Sequence, residues 1–107
     1  MIRHIVLVRF RPDVTDAQAA ELFAPIPRLA ARLPGVAGFA AGRSESPEQI
    51  ERGYLHGFTI DFTDWDALAT YQADAEHRAF GASLVAHAAG GIDGILVFDL
   101  PFTGAPC

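Results

Sequence analysis

Cysteine is almost missing from this chain: Cys107, the last residue, is the only one among 107. An internal disulfide is therefore excluded, and so is a zinc site built on paired thiolates. Basic residues are few as well. Eight of them, scattered along the chain, face thirteen acidic ones, for a net charge of −5. Phosphate-binding surfaces need clustered Lys and Arg, so nucleic acid is not an expected partner. No apolar run is long enough to span a bilayer, and the longest early stretch, Ile5 to Val8, is too short for a signal-peptide core. The expectation is a soluble, cytoplasmic protein with no membrane partner. A phosphate-cradling glycine loop, a Gly-x-Ser-x-Gly elbow and a Cys–His pair are all absent, which removes nucleotide binding and the common nucleophilic hydrolases.

Apolar residues, by contrast, make up half of the chain. That is enough for one packed core, and the length allows one domain, expected over residues 1–100 with a flexible tail at 101–107. Residues 2–10 are β-branched and aromatic, and Pro12 ends them. Thr15 with Gln18 fits a capping box, after which Ala19, Leu22, Phe23, Ile26, Leu29 and Leu33 recur at helical spacing. Pro25 and Pro27 fall inside that stretch and predict a kink or a split. Residues 36–43 read as a weak strand, and Ser46, Pro47 and Gln49 as a short helical turn. The clearest alternation follows, with Tyr54, His56, Phe58, Ile60 and Phe62 on one face. A second helical region opens at Thr63 or Asp64, carries Trp65, Leu68 and Tyr71 on one side, and is recapped by Asp74 before His77, Phe80 and Leu84. Gly90-Gly91 ends it, and residues 93–100 form a last strand.

The order βαββαβ implies an α+β, ferredoxin-like fold: a four-stranded antiparallel sheet with helices on one face. Strand one then poses a problem. His4, Val6, Val8 and Phe10 share one face, yet Ile5 and Leu7 on the other are also apolar, and Leu96, Phe98 and Leu100 repeat the pattern in the last strand. Helices bury one face only. A second copy of the sheet is the natural cover for the other, giving a homodimer through the open sheet face.

Three segments carry a resemblance. His4 to Pro12 (HIVLVRFRP), Gly53-Tyr54-Leu55-His56 before an alternating strand, and Tyr71 followed by His77 and Phe80 together resemble the stress-responsive A/B barrel (Dabb) family, over about residues 3–100. The resemblance implies a dimeric α/β barrel of ferredoxin-like subunits. One branch holds a plant polyketide cyclase that folds a linear poly-β-keto thioester by aldol condensation without a cofactor. Its functional histidine and tyrosine correspond to His77 and Tyr71, and its strand histidines to His4 and His56. Its apolar pocket wall corresponds to Val6, Val8, Leu22, Phe23, Ile26, Phe58, Ile60, Trp65, Leu68, Phe80 and Gly81. Arg78 stands where the family usually has a small apolar residue.

The residues themselves permit this chemistry. Histidine titrates near neutrality and accepts protons at physiological pH, while a tyrosine hydroxyl donates to a developing enolate. His77 is the expected general base and Tyr71 the donor, with His4 and His56 orienting; strands one and three are central neighbours, so both strand histidines are expected near His77. No carboxylate accompanies the histidines in sequence, so no metal is expected, and no cofactor. Three functions remain open: a non-catalytic domain with a small apolar pocket, a cyclase-like enzyme acting on an apolar carbonyl compound, and a cofactor-free monooxygenase acting on an aromatic one.

Overall fold

The computed structural model describes residues 1–103; Cys107 and the end of the expected tail lie outside the described residues. In chain order the elements are β1 (Ile2–Val8), α1 (Asp16–Phe23), α2 (Ile26–Arg32), β2 (Val36–Arg43), β3 (His56–Phe62), α3 (Trp65–Ala73), α4 (Ala75–His87), a 3-10 turn at Gly91–Gly94, and β4 (Ile95–Pro101). The strands form one antiparallel sheet in the order β2-β3-β1-β4. This is the expected βαββαβ chain path, with each helical region broken in two.

Local chemistry explains both breaks. The Gln18 amide N–H donates to Thr15 Oγ1 at 3.1 Å, and the Thr15 N–H donates back to Gln18 Oε1 at 2.8 Å, so the capping box starts α1. Proline at 25 and 27 cannot donate to the preceding turn, so α1 stops at Phe23 and α2 restarts with Pro27 in its first turn. Asp74 is extended (ψ 134°), which ends α3, and its carboxylate accepts from the His77 N–H at 3.0 Å, which begins α4.

Some boundaries differ from expectation. Pro47 and Glu48 form a simple turn instead of a helical one. Residues 91–94 wind into the 3-10 turn, so the last strand starts at Ile95; it continues through Pro101, and the Phe102 N–H still donates to the Met1 carbonyl at 3.0 Å. No helix among the described residues is long and apolar enough to cross a membrane.

The core lies between the sheet and the helices. Ile2, Val6 and Val8 from β1 and Phe58, Ile60 and Phe62 from β3 meet Phe23, Ile26, Leu29, Leu68, Tyr71, Phe80 and Leu84. On the opposite face, Ile5 pairs across from Phe98 and Leu7 from Leu96. There, Leu96, Phe98 and Leu100 are 42%, 55% and 43% exposed, so the second apolar face is real and uncovered within one chain.

One glycine joins the layers. Gly35 has φ +75°, and a Cβ on it would stand 2.5 Å from the Ala67 Cβ of α3. Both the left-handed backbone and this close approach require glycine. Gly35→Ala is expected to cost roughly 2 kcal/mol of stability, read as a lower urea midpoint. An unchanged midpoint would show that α3 is free to move away.

Candidate active site

Two imidazoles converge from different elements. His4 sits in the middle of β1, opposite Ile60 on β3 and Asp99 on β4. It is 5% exposed, and its Nδ1 lies 2.6 Å from Asp99 Oδ1. A carboxylate only accepts, so Nδ1 carries the proton and Nε2 is left as the basic nitrogen. His77 comes from the first turn of α4. Its ring centre is 4.0 Å from that of Tyr71, which in turn is 5.6 Å from that of His4. Tyr71 thus sits against both imidazoles.

The electrostatics follow from burial. Removal from water disfavours the imidazolium and outweighs the Gln72 backbone and the Asp74 carboxylate, which favour it, so His77 titrates below its ordinary value, with the Arg78 charge adding to the effect of burial. His77 is therefore neutral, a free base, at neutral pH. Burial also raises the Tyr71 phenol well above its usual range, keeping it a neutral donor. Neither the Tyr71 hydroxyl nor the His77 Nδ1 has a hydrogen-bond partner among the described residues. Buried polar groups are nearly always paired, so an unpaired one calls for an explanation, of which a catalytic role is one.

Linkage gives a measurable consequence. Below about pH 6.5 the unfolded chain binds a proton at His77 that the folded chain refuses, so stability falls as pH drops through that value until the folded imidazole protonates too. His77→Gln is expected to flatten this part of the stability–pH curve. A curve of the same shape in both proteins would mean that His77 titrates normally in the fold.

His4 and His77 line a cavity of about 380 Å³ between α4 and β4. Val6, Phe58, Phe80 and Leu84 form its inner wall, and Ile92, Ile95 and Val97 its outer one. Ligand sites begin at about 300 Å³, so the space is large enough for a small molecule. A larger depression near the α1 N-terminus is polar, and its Arg11 is already paired with Asp13 and bonded to the Ala86 carbonyl.

The remaining expected site residues divide. Val6, Phe58, Phe80 and Gly81 do line this cavity. Val8, Ile60 and Leu68 are core, and Phe23 and Ile26 border a different groove beside β2. Leu22 lines the polar depression. Trp65, expected in the wall, opens α3 and is 54% exposed, while Ala67 takes the buried position. His56 also differs from expectation. The antiparallel register sets it opposite Val8, four residues along β1 from His4, or roughly 13 Å at a strand's rise. It is paired with Asp16 at 3.0 Å and packed edge-on to Phe10, away from His77. Tyr71 lies behind the two imidazoles, outside the residues lining the cavity.

Asp99 was not anticipated. Its signal was present: a lone carboxylate inside the apolar run Ile95 to Leu100 must be paired if its face is covered. Gln72, Val85, Ile92 and Val97 also line the cavity and carried no sequence pattern of their own, and so does Arg78, marked in the sequence only as a departure from the family. Among the described residues, no three His, Cys, Asp or Glu side chains are grouped as a metal ion would require.

The family model described as "Stress responsive A/B Barrel Domain" matches residues 2–102. The chain belongs to that family. It is similar to a stress-response A/B barrel domain-containing protein of Arabidopsis thaliana, 28% identical over 98 residues, covering 92% of this chain and 86% of the relative. It is also similar to the olivetolic acid cyclase of Cannabis sativa, 24% identical over 80 residues, covering 75% of this chain and 79% of that one. Among solved structures, a dimeric ferredoxin-like protein of unknown function from Jannaschia sp. CCS1 superimposes with a TM-score of 0.87 at 35% identity, covering 94% of this chain and 98% of that one. The proteins that this chain is similar to thus include both a named cyclase and one of unknown function.

Proposed function

We propose that this protein is a homodimeric A/B barrel whose cavity binds a small, largely apolar carbonyl compound and moves protons on it. The observation that carries this reading is the pair of imidazoles on one apolar cavity, one oriented by Asp99 and the other kept neutral by burial. In the proposed reaction His77 takes a proton from the acidic carbon between two carbonyls. The enolate oxygen needs a hydrogen-bond donor: His4 supplies one from Nε2 only as the imidazolium, its charge balanced by Asp99, and the unpartnered Tyr71 hydroxyl, behind the two imidazoles, is the other polar group nearby. The carbanion then attacks a second carbonyl carbon of the same molecule, forming a carbon–carbon bond, and the proton on His77 passes to the new alkoxide. Only protons change hands, so the steps require no redox group. The similarity to a protein named olivetolic acid cyclase supports cyclisation as the reaction class. His56 takes no part here, since Asp16 already engages it at the other end of the sheet.

The second copy is proposed to cover the open sheet face. The exposed stripe of Leu96, Phe98 and Leu100 supports this, together with the similar chain from Jannaschia, which is described as dimeric.

A second reading, ligand binding without turnover, is favoured by the place of Tyr71 behind the imidazoles. Incubation with a synthetic poly-β-keto thioester, followed by mass spectrometry, separates the two. A cyclised product supports catalysis. Saturable binding with unchanged thioester selects the binder, and neither result would remove the cavity as a functional site.

A further inference from the structure

Almost every charged group around the cavity is already engaged. Asp99 holds His4, and at the α3–α4 junction Asp74 and Glu76 hold Arg32 and Arg28. Arg78 is different. It follows His77 on α4, lines the same cavity, and is the only permanently charged residue among the described ones that does so. It is exposed to water, and among the described residues it has no ion-pair partner.

We propose that the ligand of this cavity is an organic carboxylate with an apolar body, its carboxylate held by Arg78 at the rim and its body seated among Val6, Phe58, Phe80 and Leu84. This rests on the cavity being a ligand site, as argued above, and specifies which ligands it takes. The guanidinium offers a planar fork of N–H donors that fits a carboxylate with two parallel hydrogen bonds. Beside an apolar wall the local dielectric is lower than in water, which strengthens that attraction. A neutral ligand of the same shape gains nothing from Arg78, and a cationic one is repelled. The chain as a whole carries −5, so no long-range field draws anions in, and discrimination has to come from this one contact.

Titration calorimetry on the full chain with phenylbutanoate and its neutral isostere phenylbutanamide tests the assignment. The wild-type protein is expected to bind the acid roughly five- to ten-fold more tightly, the modest end for a charge-assisted contact because the site is partly exposed. Arg78→Gln should bring the acid down to the amide's affinity and leave the amide unchanged. Arg78→Lys should keep part of the preference, and Arg78→Glu should reverse it. Unfolding midpoints of all three variants, compared with wild type, identify any loss that comes from misfolding. Equal wild-type affinities, or a preference that survives Arg78→Gln in a folded protein, overturns the proposal while leaving the cavity a ligand site. No binding of either compound overturns the cavity reading, and this proposal with it. The corresponding alkyl phosphate is the last arm: if it binds more than ten-fold tighter than the acid, Arg78 is a phosphate contact and the carboxylate assignment is wrong.

Discussion

His77→Ala is expected to lower turnover of a poly-β-keto thioester by about a hundred-fold or more, within the range that a positioned general base supplies. The reason lies in how the imidazole is prepared. Burial holds its titration below the ordinary value, so at neutral pH the wild-type ring is already deprotonated and needs no proton loss before it acts. Alanine removes the base and widens the cavity, so binding alone does not separate the roles. The pH profile does. The acidic limb of the wild-type rate should lie below pH 6.5, set by the depressed imidazole, and it should be absent from the residual rate of the variant. Tyr71→Phe provides the contrast. It deletes a buried hydroxyl that has no partner among the described residues, so the fold should lose little stability and even gain some. If the hydroxyl meets the substrate oxygen, turnover falls while stability does not. A His77→Ala protein with undiminished turnover and an unaltered acidic limb would move the general base elsewhere, and the Asp99-backed His4 is then the group to test.

Phe98→Glu is expected to convert the proposed dimer to a monomer at micromolar concentration, measured by sedimentation. Phe98 is 55% exposed at the centre of β4, across from Ile5, with Leu96 and Leu100 on either side along the same face. Buried apolar area contributes roughly 25 cal/mol per Å², and a carboxylate placed between two such sheets would be desolvated without a partner. The effect is therefore large, because the interface loses its most exposed anchor and gains an unpaired charge. Within the isolated subunit the same residue points away from the core, so the variant should still fold. A wild-type protein that sediments as a single chain, or a variant that stays dimeric, would place the subunit contact on another surface.

How much was legible before the structure depends on whether the signal was local. The Thr15–Gln18 box, the prolines at 25 and 27, and the Asp74 cap each act within a turn, and each element began or broke where they stand. The alternation through β3 and the apolar residues on both faces of β1 and β4 depend on strand geometry alone, and both faces are as the pattern required. The exceptions have physical causes. Trp65 shares a helical side with Leu68 and Tyr71, but it is the first residue of α3, where the sheet no longer covers that side. Residues 93 and 94 have strand-like neighbours, yet Gly90 and Gly91, both at positive φ, lead into a 3-10 turn that uses them first.

By itself, then, the sequence determined the element order, the two-faced sheet, the family and the inward aim of His4 and His77, because periodicity and capping are encoded within a few residues. Only the tertiary structure decided which of these groups meet. Register between strands distant in the chain leaves no local trace, and it alone gave His4 the carboxylate of Asp99; the packing of helices on the sheet, equally non-local, put Asp16 of α1 beside His56 and left a cavity between α4 and β4 with Arg78 at its edge.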